Sequence, residues 1–249
     1  MLPNFLPTKK VALATVIIAS LAIVITQSFM KNQNQQSANQ IPSSNQPTVK
    51  PTPKSTADES TNLVHIDIAA TVFWVGEEET EESGFISNAA SFWDKNWQEH
   101  FGGVDDPDNR NGFWPQDFTP RQNPFYIALP YADFDSAKNL KASAKKIPWY
   151  KSPKSGQSVV KNRWVKVSYR EKICFGQWED VGPKNTDDFD YVFGQKPPRN
   201  SFSGIDLSPA VRDCLEMRGR AKVSWQFIED SQVPDGAWKQ IITKSAINW

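Results

Sequence analysis

Residues 162–181 hold the pattern that most narrows what this chain can become. In NRWVKVSYR, Val165, Val167 and Tyr169 alternate with Lys166, Ser168 and Arg170, the two-residue period of a half-buried strand. Glu171 and Lys172 are expected to turn the chain, and ICFGQWEDV returns as a second arm. Gly176 marks a point where another backbone approaches closely or the strand bulges. Gly182 and Pro183 end that arm. A second strand end follows in GIDLS, where Ser208 and Pro209 read as N-cap and first residue of a helix. Val211, Cys214 and Leu215 would form its buried face and Gly219 would close it. Each strand end carries one carboxylate, Asp180 and Asp206. Asp206 stands about two residues before the helix N-terminus, whose dipole favours an ionised group.

The amino end is of another kind. Lys9 and Lys10 precede an apolar run over residues 11–30, and Lys31 follows it. A run of about twenty apolar residues can cross a bilayer as a helix. A secretory signal has the same order but ends in a small-residue cleavage site, and no A-x-A stands here. The expectation is one uncleaved transmembrane signal anchor, with residues 1–10 in the cytoplasm and the remainder outside, periplasmic or at the cell surface; cleavage would make the chain secreted. Residues 31–62 are rich in Gln, Asn, Ser, Thr and Pro and bury too little to offset ordering entropy, which predicts a disordered linker. Residues 63–249 remain for roughly one domain.

Lys plus Arg and Asp plus Glu number 28 each, so no charge imbalance draws the chain to nucleic acid. Cys174 and Cys214 could be bridged in an oxidising compartment; two buried free thiols, one in a strand and one in a helix, is the reading preferred from sequence. With no CxxC and only His65 and His100, a zinc site is excluded, and no metal or cofactor is expected. Ten Trp and fifteen Phe suit a thick core or the stacking of sugar rings.

Along the domain, ATVFWVG at 70–76 predicts the first strand, and Glu77–Glu82 a solvated acidic loop. In residues 87–103, Ala89, Phe92, Trp93, Trp97 and Phe101 recur at helical spacing, which predicts one amphipathic helix capped by Ser87 or Asn88 and ended by Gly102 and Gly103. His100, near its end, has no partner in sequence and reads as structural. The acidic segment 103–115 fails the calcium-loop frame, because Pro107 and Phe118 would occupy ligand positions; Asx turns account for its composition. PFYIALPYADF at 124–134 reads as a buried strand. Residues 135–160 form a long excursion carrying Trp149 and Tyr150, either a sugar platform or a segment packed back on the domain. AKVSWQFIED at 221–230 predicts a further strand, and residues 233–243 a Pro-Asp-Gly turn with a closing strand.

The order NRWVKV, QWEDVGP and GIDLSPAV resembles the double-psi β-barrel of rare lipoprotein A, in which a strand pair leads to a V-N-D-R-G-P type motif and then to I-D-L-S with a helix. Expansins, family 45 endoglucanases and some lytic transglycosylases have related barrels. The resemblance implies a mainly β, six-stranded double-psi barrel with short peripheral helices and long loops. Asp180 matches the Asp of the D-R-G-P motif and Asp206 that of I-D-L-S. Val181 replaces the Arg of that motif, and residues 184–203 are inserted between its Pro and the Gly of GIDLS, adding Asp187, Asp188 and Asp190 as competing carboxylates. The implied function is cleavage of envelope polysaccharide, peptidoglycan first, with Asp206 as general acid and Asp180 as its partner, and with Trp178, Trp149 and Tyr150 against the sugar. A glycosidic bond needs an acid for the leaving oxygen and commonly a second carboxylate, and two such groups in one groove would push one pKa upward. The alternatives are carboxylates that lock the barrel loops in a non-catalytic, expansin-like binding module, or a structural envelope protein whose protein contact is the 135–160 excursion.

Overall fold

The structure, a computed structural model, describes residues 63–80 and 87–249. The expected anchor over 11–30, the linker over 31–62 and the end of the acidic run lie outside the described residues. No helix among the described residues is long and apolar enough to cross a membrane.

Among the described residues, eight strands and three short α-helices follow in chain order: β1 His65–Val72, α1 Trp97–Phe101, β2 Arg110–Asn111, β3 Trp114–Pro115, β4 Tyr126–Leu129, β5 Trp164–Tyr169, β6 Lys172–Val181, α2 Phe189–Val192, β7 Ile205–Leu207, α3 Pro209–Cys214 and β8 Ala221–Ile228. Six of the strands close into a barrel in the order β1-β7-β4-β6-β5-β8, while β2 and β3 form a separate hairpin. β1 with β7 and β4 with β6 run parallel, and the remaining barrel pairs are antiparallel. Exchanging β1, β4 and β5 for β6, β7 and β8 leaves this set of pairings unchanged, so the barrel is a pseudo-twofold repeat of three strands. Closure removes the free edges that a six-stranded sheet would otherwise expose.

Alternation fills the interior. Ile127 and Leu129, Val165 and Val167, Cys174 and Trp178, Ile205 and Leu207, and Val223, Trp225 and Phe227 all join one buried cluster. Gly176 keeps this row because a Cβ there would lie 2.9 Å from Ile127 Cδ1 and 3.0 Å from the Phe125 carbonyl, so the close approach expected from sequence is present. A second cluster on the outer face joins Phe73, Val75, Trp97, Phe101, Tyr126 and Ala128. Tyr126 ties it to buried Asp105, donating its hydroxyl at 2.9 Å, and Arg110 pairs with the same carboxylate.

The hairpin of β5 and β6 stands where the alternation put it, but Tyr169 pairs with Lys172, so Arg170 and Glu171 make the turn and Arg170 takes a φ of 53°. The first strand begins five residues earlier than expected and ends at Val72, because Phe73 and Val75 turn out to the second cluster. The helix expected over 87–103 contracts to α1. Its aromatic stripe is divided: Trp93 enters the barrel cluster while Trp97 and Phe101 enter the outer one, and one continuous helix face cannot serve two clusters. Ser208 caps α3 as expected, accepting from the Val211 N–H, but the helix stops at Cys214, before Gly219. Residues 233–243 form no strand, only a 3-10 turn over Ala237–Lys239; β8 already pairs with β1, leaving no edge for one. Cys174 and Cys214 form a disulfide, which replaces the preferred reading of two free thiols and fastens α3 to β6. In the 103–115 loop, Asp106 Oδ1 accepts from the Asp108 N–H at 2.8 Å, an Asx turn as expected.

Candidate functional site

Asp180 and Asp206 meet on one row of the barrel. Thr71 of β1 pairs with Asp206 of β7, Asp206 pairs with Ala128 of β4, and Ala128 pairs with Asp180 of β6. Registered neighbours point to the same face, and Ala128 faces the outer cluster, so both carboxylates lie on the outside of the barrel. Asp180 reaches that face through a break in register. Ile127 pairs with Trp178 but Ala128 pairs with Asp180, leaving Glu179 as the extra residue. This bulge turns Asp180 away from the interior, where simple alternation after Trp178 would have aimed it.

The spacing follows from the sheet. Two inter-strand gaps separate the Asp Cα atoms by roughly 9–10 Å, with only the Ala128 methyl group between. Gly182 borders the same space: a Cβ there would stand 3.6 Å from Asp206 Oδ2 and 3.8 Å from Ala128 Cβ. Asp180 is 8% exposed and its Oδ1 accepts from the Phe92 N–H at 2.7 Å. Asp206 is half-buried; its Oδ1 meets the Thr71 hydroxyl and Ser203 Oγ at 3.2 Å. Thr71 and Ser203 are themselves 2.8 Å apart, and Ser203 Oγ lies 2.9 Å from the Ile205 carbonyl. Each hydroxyl carries one proton. Thr71 donates its hydroxyl to Asp206 Oδ1, with Ser203 within reach of the same oxygen, and bonds of this kind favour the ionised carboxylate.

Both acids are held above the carboxylate range. Burial raises Asp180 to about 7, and the nearby charge of Asp206 adds to the rise against the bonds from Phe92 and Val181. Burial raises Asp206 to about 6, opposed by Thr71 and Ser203. Burial is thus the main cause of the rise in both acids. A raised folded-state pKa contributes stability that is complete below the unfolded value near 4 and is lost as pH climbs through the folded value. For Asp180 the rise from 3.8 to about 7 sets a ceiling of roughly 4 kcal/mol. Urea unfolding should therefore show stability falling between about pH 4 and pH 7, and Asp180→Asn should flatten that slope and be at least as stable as wild type at pH 8. An unaltered slope would contradict the protonated state.

The other residues singled out from sequence stand apart from this row. Trp178 is fully buried, its Nε1 donating to the Asp180 carbonyl at 2.8 Å and its ring packed by Trp93 and Phe227, so it has no face open to a sugar. Trp149 packs on Phe227 at 4.8 Å and Phe193 at 5.6 Å, under the Arg163 guanidinium at 4.1 Å. Tyr150 is partly buried against the same core. The excursion is thus laid back on the barrel. The inserted carboxylates are occupied within their own loop: Asp187 and Asp188 pair with Arg199 and Asp190 with Lys196. Tyr191 of the insertion is buried, donating to the Gly204 carbonyl at 3.0 Å. His100 finds a partner invisible in the sequence, with Nδ1 2.8 Å from Asp94. Thr71, Ser203 and Phe92 were not identified from sequence, and only the position of Ser203 beside GIDLS could have drawn notice.

No group of three or more His, Cys, Asp or Glu side chains among the described residues is arranged to hold a metal ion. Two surface clefts, of about 450 Å³ beside α1 and about 530 Å³ between residues 63–69 and the 194–201 loop, have neither Asp180 nor Asp206 in their walls.

No protein-family model matches this chain, and no curated protein matches it. Among solved structures it is similar to the Streptomyces papain inhibitor (SPI), at 14% identity over 68% of this chain and 97% of that one, with a TM-score of 0.28.

Proposed function

We propose that this domain is a double-psi barrel that cleaves cell-envelope polysaccharide, peptidoglycan first, as a lytic transglycosylase or glycosidase. The observation that carries the reading is the row Asp180, Ala128, Asp206, two carboxyls of raised pKa on one outer face with a methyl group between them. Their Cα atoms, two inter-strand gaps or roughly 9–10 Å apart, are compatible with the roughly 6.5–9.5 Å carboxyl separation of an inverting pair. Asp206, the more exposed member, donates its proton to the leaving glycosidic oxygen. Asp180, once ionised, takes the proton of the hydroxyl nucleophile, water in a glycosidase or a hydroxyl of the sugar itself in a lytic transglycosylase, as that oxygen bonds to the anomeric carbon and the leaving alcohol departs with the proton of Asp206. The pseudo-twofold pairing of the strands supports the double-psi assignment. The Cys174–Cys214 bridge supports an oxidising, extracytoplasmic location, with residues 11–30 as the membrane tether.

Purified sacculi incubated with wild type should release soluble sugar fragments, and Asp206→Asn should release less by two to four orders of magnitude. Equal product from both proteins, read by mass spectrometry, would overturn the assignment. The non-catalytic, expansin-like reading rests on the near-complete burial of Asp180 under Phe92. It predicts retention of both proteins on sacculi with no soluble product from either.

A further inference from the structure

Residues 247–249 fold back beside the carboxylate row. Asn248 brackets the 93–95 backbone, its N–H donating to the Trp93 carbonyl at 2.7 Å and its carbonyl accepting from the Lys95 N–H at 2.9 Å. Its side-chain amide donates to Asp94 Oδ1 at 3.2 Å. Trp249 then stands between two aromatic rings, edge-to-face with Phe92 at 5.9 Å and with Phe134 at 5.6 Å. The Lys138 ammonium lies 3.6 Å from its ring centre. Phe92 forms one wall of this slot and is also the residue whose N–H covers Asp180.

The slot does not depend on Trp249 for its frame. Trp93 is anchored in the barrel core and donates to Asp133 at 3.2 Å, and Ser91 and Asp94 exchange backbone hydrogen bonds at 2.9 and 3.3 Å, so the 91–95 turn has holding contacts that do not involve Trp249. Vacated, the slot offers the two phenyl rings that Trp249 meets edge-to-face and the Lys138 ammonium beside them. Those are elements that grip a pyranose: C–H groups against aromatic rings, and hydroxyls against a cation.

We propose that the Phe92–Phe134 slot is a saccharide subsite of the carboxylate row, occupied in cis by Trp249, which competes with the glycan. The proposal rests on the polysaccharide reading of that row. An internal competitor lowers apparent affinity by the fraction of time the slot is empty, so a slot open about a tenth of the time gains about tenfold when the competitor is removed.

The test is titration calorimetry of wild type, Trp249→Ala and Asn248→Pro with chitotetraose, a soluble stand-in for a glycan strand, alongside carbodiimide labelling of Asp180 read by mass spectrometry. Trp249→Ala removes the plug, and Asn248→Pro removes the N–H that holds its backbone to Trp93. Both variants should bind chitotetraose about tenfold more tightly and label Asp180 several-fold faster. Unchanged or weaker binding in both would overturn the subsite, as would loss of a cooperative unfolding transition in both, since the strap would then be part of the frame. If Asp206→Asn abolishes fragment release while Trp249→Ala leaves affinity unchanged, the subsite falls and the enzyme reading stands. If affinity rises while Asp206→Asn releases as much as wild type, the reverse holds.

Discussion

Replacing Lys161 by Met is expected to remove about 3–5 kcal/mol of folding stability, the cost of leaving a buried charge without its partner. Lys161 Nζ lies 2.7 Å from Glu179 Oε2, and the two side chains are 4% and 2% exposed. Nζ also donates to Ser245 Oγ at 3.1 Å and to the Ser245 carbonyl at 3.3 Å. Glu179 has little else: its second oxygen, Oε1, is buried without a hydrogen-bond partner. Burial already raises the Glu179 pKa against the pull of Lys161, and removing the ammonium lets it rise further. The sign follows: the folded variant holds a proton that the unfolded chain has lost, so its stability falls as pH rises. The defect should be larger at pH 8 than at pH 5 in urea unfolding. Lys161→Met combined with Glu179→Leu should recover most of the loss, because an apolar pair requires no desolvation of charge. A single variant as stable as wild type at pH 8 would show that the pair is not buried in solution.

The second large effect concerns the disulfide. Cys174 and Cys214 are separated by 40 positions, and in the chain-entropy account a loop of that length constrains the unfolded state by about 4 kcal/mol. The bridge fastens α3 to the arm of β6, and the loop it closes contains α2, β7 and both carboxylates. The double variant Cys174→Ala, Cys214→Ala should melt about 10 °C lower by calorimetry, given the 2–4 °C per kcal/mol expected for a domain of this size. It should nevertheless fold, because the barrel closes through six strand pairings without the bridge. A melting point within about 2 °C of wild type would show that the bridge adds little.

The amino-acid order by itself determined the elements whose information is local. The alternation over 164–169, the return arm to Val181, the Ser208–Pro209 helix start and the strand over 221–228 each follow from periodicity or a cap read within about ten residues. It also put one carboxylate at each of two strand ends. The helix expected over 87–103 shows where local reading stops. Its three- and four-residue spacing is genuine, but burial against two separate clusters outweighs the weak helix preference of so aromatic a segment.

Only the tertiary structure decided what the two carboxylates are to one another. Register belongs to a pair of strands, and a single inserted residue reverses which face a side chain takes. The bulge at Glu179 sends Asp180 to the face of Asp206 and leaves Glu179 to be buried against Lys161. Nothing in QWEDV marks which of its residues is the extra one, because that choice is made by the pairing of Ile127 and Ala128 with β6. Thr71 lies 135 positions from Asp206 and Phe92 lies 88 from Asp180. Barrel closure brings these groups together, and the low-dielectric, partly covered surface it builds around them raises both acids into the range where they can exchange protons near neutral pH.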